Sequence, residues 1–308
     1  MSFSELRDIF IGSFGADYCV KALLFLKSPN NVKEYLTGIH KVTFPDGDTN
    51  KNQRWATYPR VLGTPNVIPI KKGDLSDSAF MNKQADKLSF DISRFTEFLS
   101  GYTKVDADVK PIMLHYAMVY LFDFFTRTWL KYGQNWGHGI QSKPREKGSS
   151  VNEYLVEIEE NGIFPRAVDA FYFLNQSSLF SPDDDDGIGY IVNVEGGTIS
   201  EIIKKMKYSE RPKIKLAHLI DVYEKLGKIV GPVSKSNPIL VGYVILFTIS
   251  SISRYRAEDW FKIRENRNLK NKFDLLQYDF LYKWAHEILM QTILRKGLEK
   301  ELSISNEN

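Results

Sequence analysis

A single histidine between two glycines is the feature of this sequence best suited to chemistry. His138 stands in the segment NWGHGI, where Gly137 and Gly139 let a neighbouring backbone approach closely. The preceding Asn135 and Trp136 offer hydrogen-bonding groups and an aromatic face. A histidine in this setting can transfer protons near neutral pH, which predicts a catalytic or ligand-binding turn. A purely structural loop is the equally weighted alternative.

The second chemical feature is the segment SRYRAEDW, which follows an uncharged apolar stretch. Arg254 and Arg256 carry planar guanidinium groups that suit forked contacts to phosphate, and Tyr255 between them adds an aromatic ring. Together with His138, Arg254 would combine an acid–base group with an anion holder. The alternative is that the arginines pair with the acidic residues after them, at the end of a buried helix. This pairing is the favoured interpretation, and a cleft shared by His138 and Arg254 is the hypothesis that the structure can test.

A third pair, Arg211 and His218, forms the pattern R-x6-H in a basic stretch. It resembles the Arg–His pair of helical HEPN-type ribonucleases, in which both side chains act on an RNA phosphodiester. The spacing is close to two helical turns, so the two side chains would share one face of a helix that begins at Pro212. Because a chain of this composition produces the spacing by chance, this nuclease pair is the lesser alternative.

Complete catalytic and metal-binding motifs are absent from the sequence. No P-loop, no H-E-x-x-H pair and no G-x-S-x-G elbow occurs, and the single cysteine, Cys19, excludes a paired-cysteine zinc motif. The acidic run at 183–186 fails the EF-hand spacing, because Pro182 would occupy the first ligand position if Gly187 were the central glycine. We therefore predict no metal site, and the sequence identifies no cofactor.

Composition and the N-terminal sequence predict a cytoplasmic globular protein. The 308 residues are 43% hydrophobic and 26% charged, and the net charge of +3 is too small to indicate nucleic-acid binding on its own. One cysteine fits a reducing compartment, and the first residues, MSFSELRDIF, lack the basic and apolar regions of a signal peptide. The uncharged stretch 236–253 has an apolar centre too short to span a bilayer, so we expect no membrane association.

Apolar residues at helical spacing occur in most of the segments around these residues. We predict a mainly α, helical bundle-like fold with minor extended elements near the N-terminus and around 188–196. The expected organisation is a mixed, loop-rich N-terminal segment (1–75) packed on a helical domain (76–301), followed by a disordered tail (302–308).

The predicted helices cover about 76–102, 109–132, 198–208, 212–229, 238–252 and 272–301. Within the second helix, Asp123 and Arg127 stand four residues apart, which predicts an ion pair on one face. His115 has apolar neighbours on the same helix, so we expect a buried core histidine there.

Three segments occur in a distinctive order: HYAMVYLFDFF with GHGI after it, NGIFPRAVDAF, and NPILVGYVILFTISSISRYRAEDW. Together they resemble the YaaC-like family, which comprises bacterial proteins whose function is not established, over roughly residues 80–290. The resemblance implies a helical fold, an intracellular bacterial protein and no particular reaction. The chain departs from the family at Arg256 and Ala257, near which a proline is expected, and this leaves any role of Arg256 open. The resemblance implicates His138, Gly139, Phe164, Arg254, Tyr255 and Trp260.

Two functions from different classes follow from these features. The primary prediction is a non-catalytic interaction, sensor or scaffold protein, in which the GHG turn and the RY segment shape the core and a surface for a protein partner or a second copy of the chain. The alternative is a HEPN-like enzyme or effector that acts on RNA or a nucleotide phosphate, with His138 as acid–base group and Arg254 or Arg256 as anion holder. By analogy with other bacterial helical proteins, a role in stress or phage defence is expected.

Overall fold

The computed structural model is mainly α-helical, as the sequence predicts. It describes residues 7, 16–43, 68–70, 72–131, 137–144, 146, 150–159, 162–167, 170, 193–194, 197–198, 213–226, 238–281 and 285. The helices are α1 (Ala16–Phe25), α2 (Pro29–Thr43), α3 (Lys72–Ser76), α4 (Ser78–Lys104), α5 (Lys110–Trp129), α6 (Leu216–Leu226), α7 (Pro238–Tyr255), α8 (Ala257–Glu265) and α9 (Arg267–Asp279). The strands are β1 (Ile68–Pro69), β2 (Leu130–Lys131), β3 (Ile140–Lys143), β4 (Leu155–Ile158), β5 (Asn193–Val194), β6 (Gly197–Thr198) and β7 (Lys213–Lys215). A short 3-10 helix covers Val151–Glu153, and residues 163–167 form a further helical turn.

The two long helices α4 and α5 form the centre of the fold. The Asp77 carboxylate caps the start of α4 by accepting hydrogen bonds from the backbone N–H groups of Ala79 and Phe80, at 2.9 and 3.2 Å. Pro111 lies in the first turn of α5, where its missing N–H leaves no helical bond unmade. Apolar side chains of α4 recur every three or four residues and are fully buried in the core that α4 shares with α5: Leu88, Ile92, Phe95 and Leu99.

Helix α7 packs antiparallel to α5. Near one end of this contact, the rings of Tyr243 and Phe122 stack with their centroids 4.6 Å apart. Near the other end, the Ser253 hydroxyl donates to the backbone carbonyl of Asp108 at 2.6 Å. Residues 239–250 of α7 are all buried, which explains why this helix carries no charged residue before its last turn.

The N-terminal helices α1 and α2 share one apolar core with α4 and α5. The Tyr35 ring of α2 stacks on Phe124 of α5 at a centroid distance of 6.0 Å. Leu23 of α1 and Leu26, directly after α1, are fully buried in the same core. Residues 44–67 of the predicted loop-rich N-terminal segment and the predicted tail at 302–308 lie outside the described residues.

A small antiparallel sheet, in the order β3–β4–β7, contacts helix α7 through strand β3. Val156 of β4 pairs with Ser142 of β3 on one side and with Ile214 of β7 on the other. Because residues Lys213–Lys215 form this strand, the helix predicted over 212–229 begins at Leu216, and its predicted start was wrong. Helical periodicity could not reveal a short strand whose partner is distant in the sequence.

Two other strand pairs affect predicted boundaries. The helix expected to reach residue 132 ends at Trp129, because Leu130–Lys131 pair with Ile68–Pro69. The strand Ile68–Pro69 is an extended element of the N-terminal segment. Of the extended element predicted around 188–196, the structure describes Asn193–Val194, which pair with Gly197–Thr198.

A buried ion cluster joins α4 to α5. The Arg127 guanidinium lies 3.4 Å from a carboxylate oxygen of Asp123, which confirms the predicted pair, and 3.4 Å from one of Asp91 on α4. Asp91 is only 2% exposed. Burial raises the pKa of its carboxyl group well above the usual value, although the charge of Arg127 opposes this shift. Arg127 therefore favours the ionised form of Asp91, which burial opposes, and links Asp91 to Asp123.

Within the described ranges, no single helix has the length and apolarity needed to cross a membrane. Helices α7 and α8 reach that threshold only as a pair, and they are bent by 118° relative to each other. Arg256, the residue at the bend, leaves the helical backbone conformation with φ −139° and ψ 63°.

Replacing Arg127 by methionine should destabilise the fold strongly, because two buried carboxylates would lose their shared cation. The expected loss in the free energy of unfolding is about 3–5 kcal/mol, measured by urea denaturation at neutral pH. The control is Arg94→Met, which removes an exposed ion pair with Glu97 on α4 and should change this free energy by less than about 1 kcal/mol. Equal losses in the two variants would contradict the role given to the cluster.

Candidate functional site

The GHG turn is held by backbone hydrogen bonds to the segment that contains NGIF. The His138 carbonyl accepts from the Phe164 N–H at 3.0 Å, and the Gly139 carbonyl accepts from the Glu159 N–H at 2.9 Å. The Gly137 carbonyl accepts a third hydrogen bond from the same segment. Because three consecutive carbonyl groups are bonded to a second segment, the backbone of His138 is fixed in place.

Glycine is required on both sides of this contact. Gly139 has a φ of 74° and Gly162 a φ of 134°, a backbone region that L side chains rarely adopt. A Cβ atom on Gly162 would lie 2.2 Å from the backbone nitrogen of Gly139. The two turns can therefore approach this closely only because Gly162 carries no side chain.

Helix α5 brings a second histidine to His138. His115 is fully buried, and its ring centroid lies 5.0 Å from that of His138. Its Nδ1 atom is 3.4 Å from the hydroxyl oxygen of Ser250 on α7. Phe247, one turn earlier on α7, packs against both imidazole rings at centroid distances of 5.4 and 5.3 Å. The sequence predicted a core histidine here and gave no indication that it contacts His138.

Arg254, in the last turn of α7, is held between two tyrosine rings. Its guanidinium carbon lies 5.5 Å from the ring centroid of Tyr116 and 5.1 Å from that of Tyr255. Its Nε donates to the Ser250 carbonyl at 3.2 Å, and one terminal nitrogen donates to the Tyr116 hydroxyl at 2.9 Å. These contacts fix the guanidinium at the end of the helix and leave it half-buried.

Tyr116 joins His138 and Arg254 into one cluster. Its ring centroid is 6.5 Å from that of His138, and the same ring carries the Arg254 guanidinium. Ser250 contacts His115 through its side chain and Arg254 through its carbonyl group. We call this group of five residues the His–Arg site: His115, Tyr116, His138, Ser250 and Arg254.

Burial and the charge of Arg254 favour the neutral form of both imidazoles, because each lowers the pKa of the two histidines. Burial lowers the pKa of His115 well below its ordinary value, and the charges of His138 and Arg254 lower it further. Burial also lowers the pKa of His138, Arg254 adds to this shift, and Asp123 opposes it. Arg254 therefore supplies the permanent positive charge of the site.

The other residues predicted for the site are placed as follows. Asn135 and Trp136 lie outside the described residues. Tyr255 is 72% exposed and touches Arg254 with its ring. Arg256 is exposed at the N-cap of α8, where its side chain makes no capping hydrogen bond.

Two residues implicated by the family resemblance support the site from a distance. The Phe164 ring stacks on Tyr243 of α7 at a centroid distance of 5.8 Å with an interplanar angle of 5°. The Trp260 indole N–H of α8 donates to the Asp108 carboxylate at 2.7 Å. Arg264 donates to the same carboxylate at 2.8 and 2.9 Å, so α8 is tied to the turn before α5.

The alternative nuclease pair lacks the helix that was expected to align it. His218 lies in the first turn of α6, which begins at Leu216, and not in a helix that begins at Pro212. Strand β7 occupies the intervening positions, so the helical spacing argument does not apply. Arg211 itself lies outside the described residues.

A metal centre has no support in the part of the chain that the structure describes. There, no group of three or more His, Cys, Asp or Glu side chains could hold a metal ion. The permanent charge of Arg254 would also repel a cation close to the two histidines. The Arg254 guanidinium, beside neutral and buried hydrogen-bonding groups, is instead suited to holding an anionic ligand.

Comparison of the chain with models of known protein families, with curated proteins and with solved structures found no match. Membership of the YaaC-like family therefore stays a prediction. The three segments on which it rests lie together in the fold. Helix α5, the GHG turn, the helical turn 163–167 and α7 all contribute to the His–Arg site or pack behind it.

Replacing Gly162 by alanine should disturb the turn that carries His138. The new methyl group would meet the Gly139 backbone, and the residue would keep an unfavourable φ, so we expect a loss of about 2–4 kcal/mol in the free energy of unfolding. The control is Gly137→Ala in the same GHG turn, where an added Cβ meets no atom within 4 Å. Thermal and urea denaturation measure both variants, and an equal effect of the two substitutions would contradict the close-approach argument.

Acid should weaken the fold through the two histidines. Their pKa values in the folded protein lie below the ordinary value of 6.5, so the unfolded chain binds more protons as the pH falls below that value and unfolding becomes more favourable. His115→Phe keeps a ring in the core but cannot be protonated. Its free energy of unfolding, measured in urea between about pH 7.5 and 5, should fall less steeply than that of the wild type. Parallel profiles would contradict a buried, neutral His115.

Proposed function

We propose that this protein is a sensor that binds a small phosphate-bearing ligand at the His–Arg site. The observation that supports this best is the environment of Arg254, which has no carboxylate partner among the described residues although it is half-buried. In contrast, Arg127 and Arg264 each pair with a carboxylate. A partly desolvated guanidinium is unfavourable without an anion, and a ligand would supply one.

Arg254 has hydrogen-bond donors available for such an anion. A guanidinium group carries five N–H donors, and two of those on Arg254 are used by the Ser250 carbonyl and the Tyr116 hydroxyl. The remaining donors suit a forked contact with two phosphate oxygens. The neutral His138 imidazole beside it can add one further hydrogen bond without competing for the anion's charge.

The position of Arg254 suggests how binding would be transmitted. It stands two residues before Arg256, at the bend between α7 and α8. Helix α8 is tied down by the Tyr154 hydroxyl, which donates to Asp259 at 2.6 Å. Tyr255 and Phe261 on either side of the bend are 72% and 59% exposed. We propose that ligand binding orders this bend and that the exposed rings contribute to self-association or to docking of a protein partner.

We expect this sensor to act in the bacterial cytoplasm. Its single cysteine, Cys19, is a buried free thiol, which fits a reducing compartment. Burial raises the pKa of this thiol to about 12, so it is unsuited to redox sensing. A role in stress or phage defence stays a hypothesis based on analogy with other bacterial helical proteins.

An enzyme acting on a nucleotide phosphate or RNA is the second candidate. The observation that favours it is the lowered pKa of His138, which leaves the imidazole free to accept a proton at pH 7. In such a reaction His138 would take a proton from an attacking water or hydroxyl group, while Arg254 would hold the phosphate oxygens. The sensor and the enzyme share one site and differ in whether a bond is broken there.

Calorimetric titration with inorganic phosphate, AMP, glycerol 3-phosphate and a short single-stranded RNA tests the anion site. Wild-type protein should bind at least one of these, and Arg254→Gln should weaken that binding about 30-fold, because hydrogen bonds to a charged group contribute about 2 kcal/mol. Arg94→Gln, which removes a surface charge on α4, should bind as the wild type does. Binding of none of the four ligands, or undiminished binding by Arg254→Gln, would contradict the proposal.

Product analysis on the same mixtures separates the two candidates. A sensor leaves the bound phosphate compound intact, and His138→Gln then changes affinity alone. An enzyme releases product, and His138→Gln should abolish turnover while ligand binding through Arg254 persists. Turnover that survives in His138→Gln would remove His138 as the general base.

A further inference from the structure

We propose that the ligand of the His–Arg site carries a hydroxyl group close to its phosphate, and that His115 recognises this hydroxyl together with His138. The expected class is therefore a polyol or sugar phosphate, which includes the ribose phosphate part of a nucleotide. This inference rests on the proposed function, because it assumes that Arg254 holds the phosphate.

The first support is a set of buried polar atoms that lack hydrogen-bond partners. Within the described residues, neither His115 Nε2 nor His138 Nδ1 has a partner, although both atoms are inaccessible to solvent. The same holds for the hydroxyl of Tyr243, whose ring centroid is 6.0 Å from that of His115. More than nine in ten buried polar groups in folded proteins are paired. Two adjoining imidazoles that each have a nitrogen without a hydrogen-bond partner therefore indicate that a polar group binds between or beside them.

The second support is the chemistry of these atoms. A neutral imidazole has one donor and one acceptor. His115 Nδ1 contacts the Ser250 hydroxyl. If Nδ1 donates in this contact, Nε2 is an acceptor, and if Nδ1 accepts, Nε2 is a donor. A hydroxyl group both donates and accepts, so it can satisfy two imidazole nitrogens in either pair of complementary roles, whereas a phosphate oxygen without a proton can only accept. A second charged group at His115 is disfavoured, because that side chain is fully buried and burial favours its neutral form.

The third support is the spacing within the site. The rings of His115 and Tyr116 have centroids 5.3 Å apart, and the Arg254 guanidinium lies on the Tyr116 ring. A phosphate on Arg254 and a hydroxyl at the histidines would thus be separated by about the width of one side chain. This separation suits a molecule with a few bonds between phosphate and hydroxyl. His138 is half-buried and His115 is fully buried, so His138 is the more accessible of the two histidines from solvent.

The competing occupant is an internal water molecule, which also donates and accepts. The two are distinguished by selectivity, because a water would satisfy the histidines equally with any phosphate on Arg254. The test compares ligands that differ only in hydroxyl groups: glycerol 3-phosphate against propyl phosphate, and AMP against 2′,3′-dideoxy-AMP. Calorimetry on the full chain gives the ratio of dissociation constants within each pair.

Wild-type protein should favour the hydroxylated member of at least one pair about ten-fold, the effect expected of one well-made buried hydrogen bond. His115→Phe, which retains an aromatic ring but no nitrogen, should reduce this ratio to about one while the affinity for propyl phosphate is retained. His115→Asn, which retains polar atoms, should keep part of the preference. Retained affinity for propyl phosphate also reports that each variant has folded with an intact Arg254 contact.

Equal affinities within both pairs for the wild type would overturn the inference and favour a bound water. An unchanged preference in His115→Phe would overturn it as well. These outcomes leave the proposed function standing if Arg254→Gln weakens binding of propyl phosphate about as much as it weakens binding of the other phosphates. Failure of every phosphate to bind the wild type overturns both the inference and the proposed function.

Discussion

The burial of α5 determines which polar contacts the protein must make in its interior. This helix lies between α4 and α7, and most of its side chains are buried. A polar group on such a helix must find its partner inside the protein, because water cannot reach it. Asp123 meets this requirement through Arg127, which also holds Asp91 of α4. His115 meets it only in part, through Ser250 of α7.

The candidate site forms where His115, whose hydrogen bonds are only partly made, lies next to two glycine turns that approach each other closely. Gly139 and Gly162 touch without side chains, and the hydrogen bonds across their contact hold His138 against His115. The end of α7 then adds Arg254, which is fixed by Tyr116 and Ser250. Neutral imidazoles and one cation are thereby assembled from segments that are far apart in the sequence. Such an arrangement suits recognition of an anion that also has a neutral polar part.

The sequence revealed features that depend on local periodicity and missed those that depend on distant contacts. The mainly α class and the Asp123–Arg127 pair follow from helical spacing, and both are found. Asp91 was missed because its contact with Arg127 joins two helices. His115 was interpreted only as a core residue, although a polar residue, Ser250, in the uncharged run of α7 offered a signal that two helices share a buried polar contact. The start of α6 was misplaced because β7 owes its conformation to pairing with β4.

In the proposed function, Arg254 holds an anion and is not half of an internal ion pair. The most direct measurement is a crystal structure of the protein grown with glycerol 3-phosphate or AMP. We predict density for a phosphate group within hydrogen-bonding distance of the free guanidinium nitrogens of Arg254, next to His138. An Arg254 guanidinium covered by a carboxylate of the chain itself, with no ligand density beside it, would contradict the account.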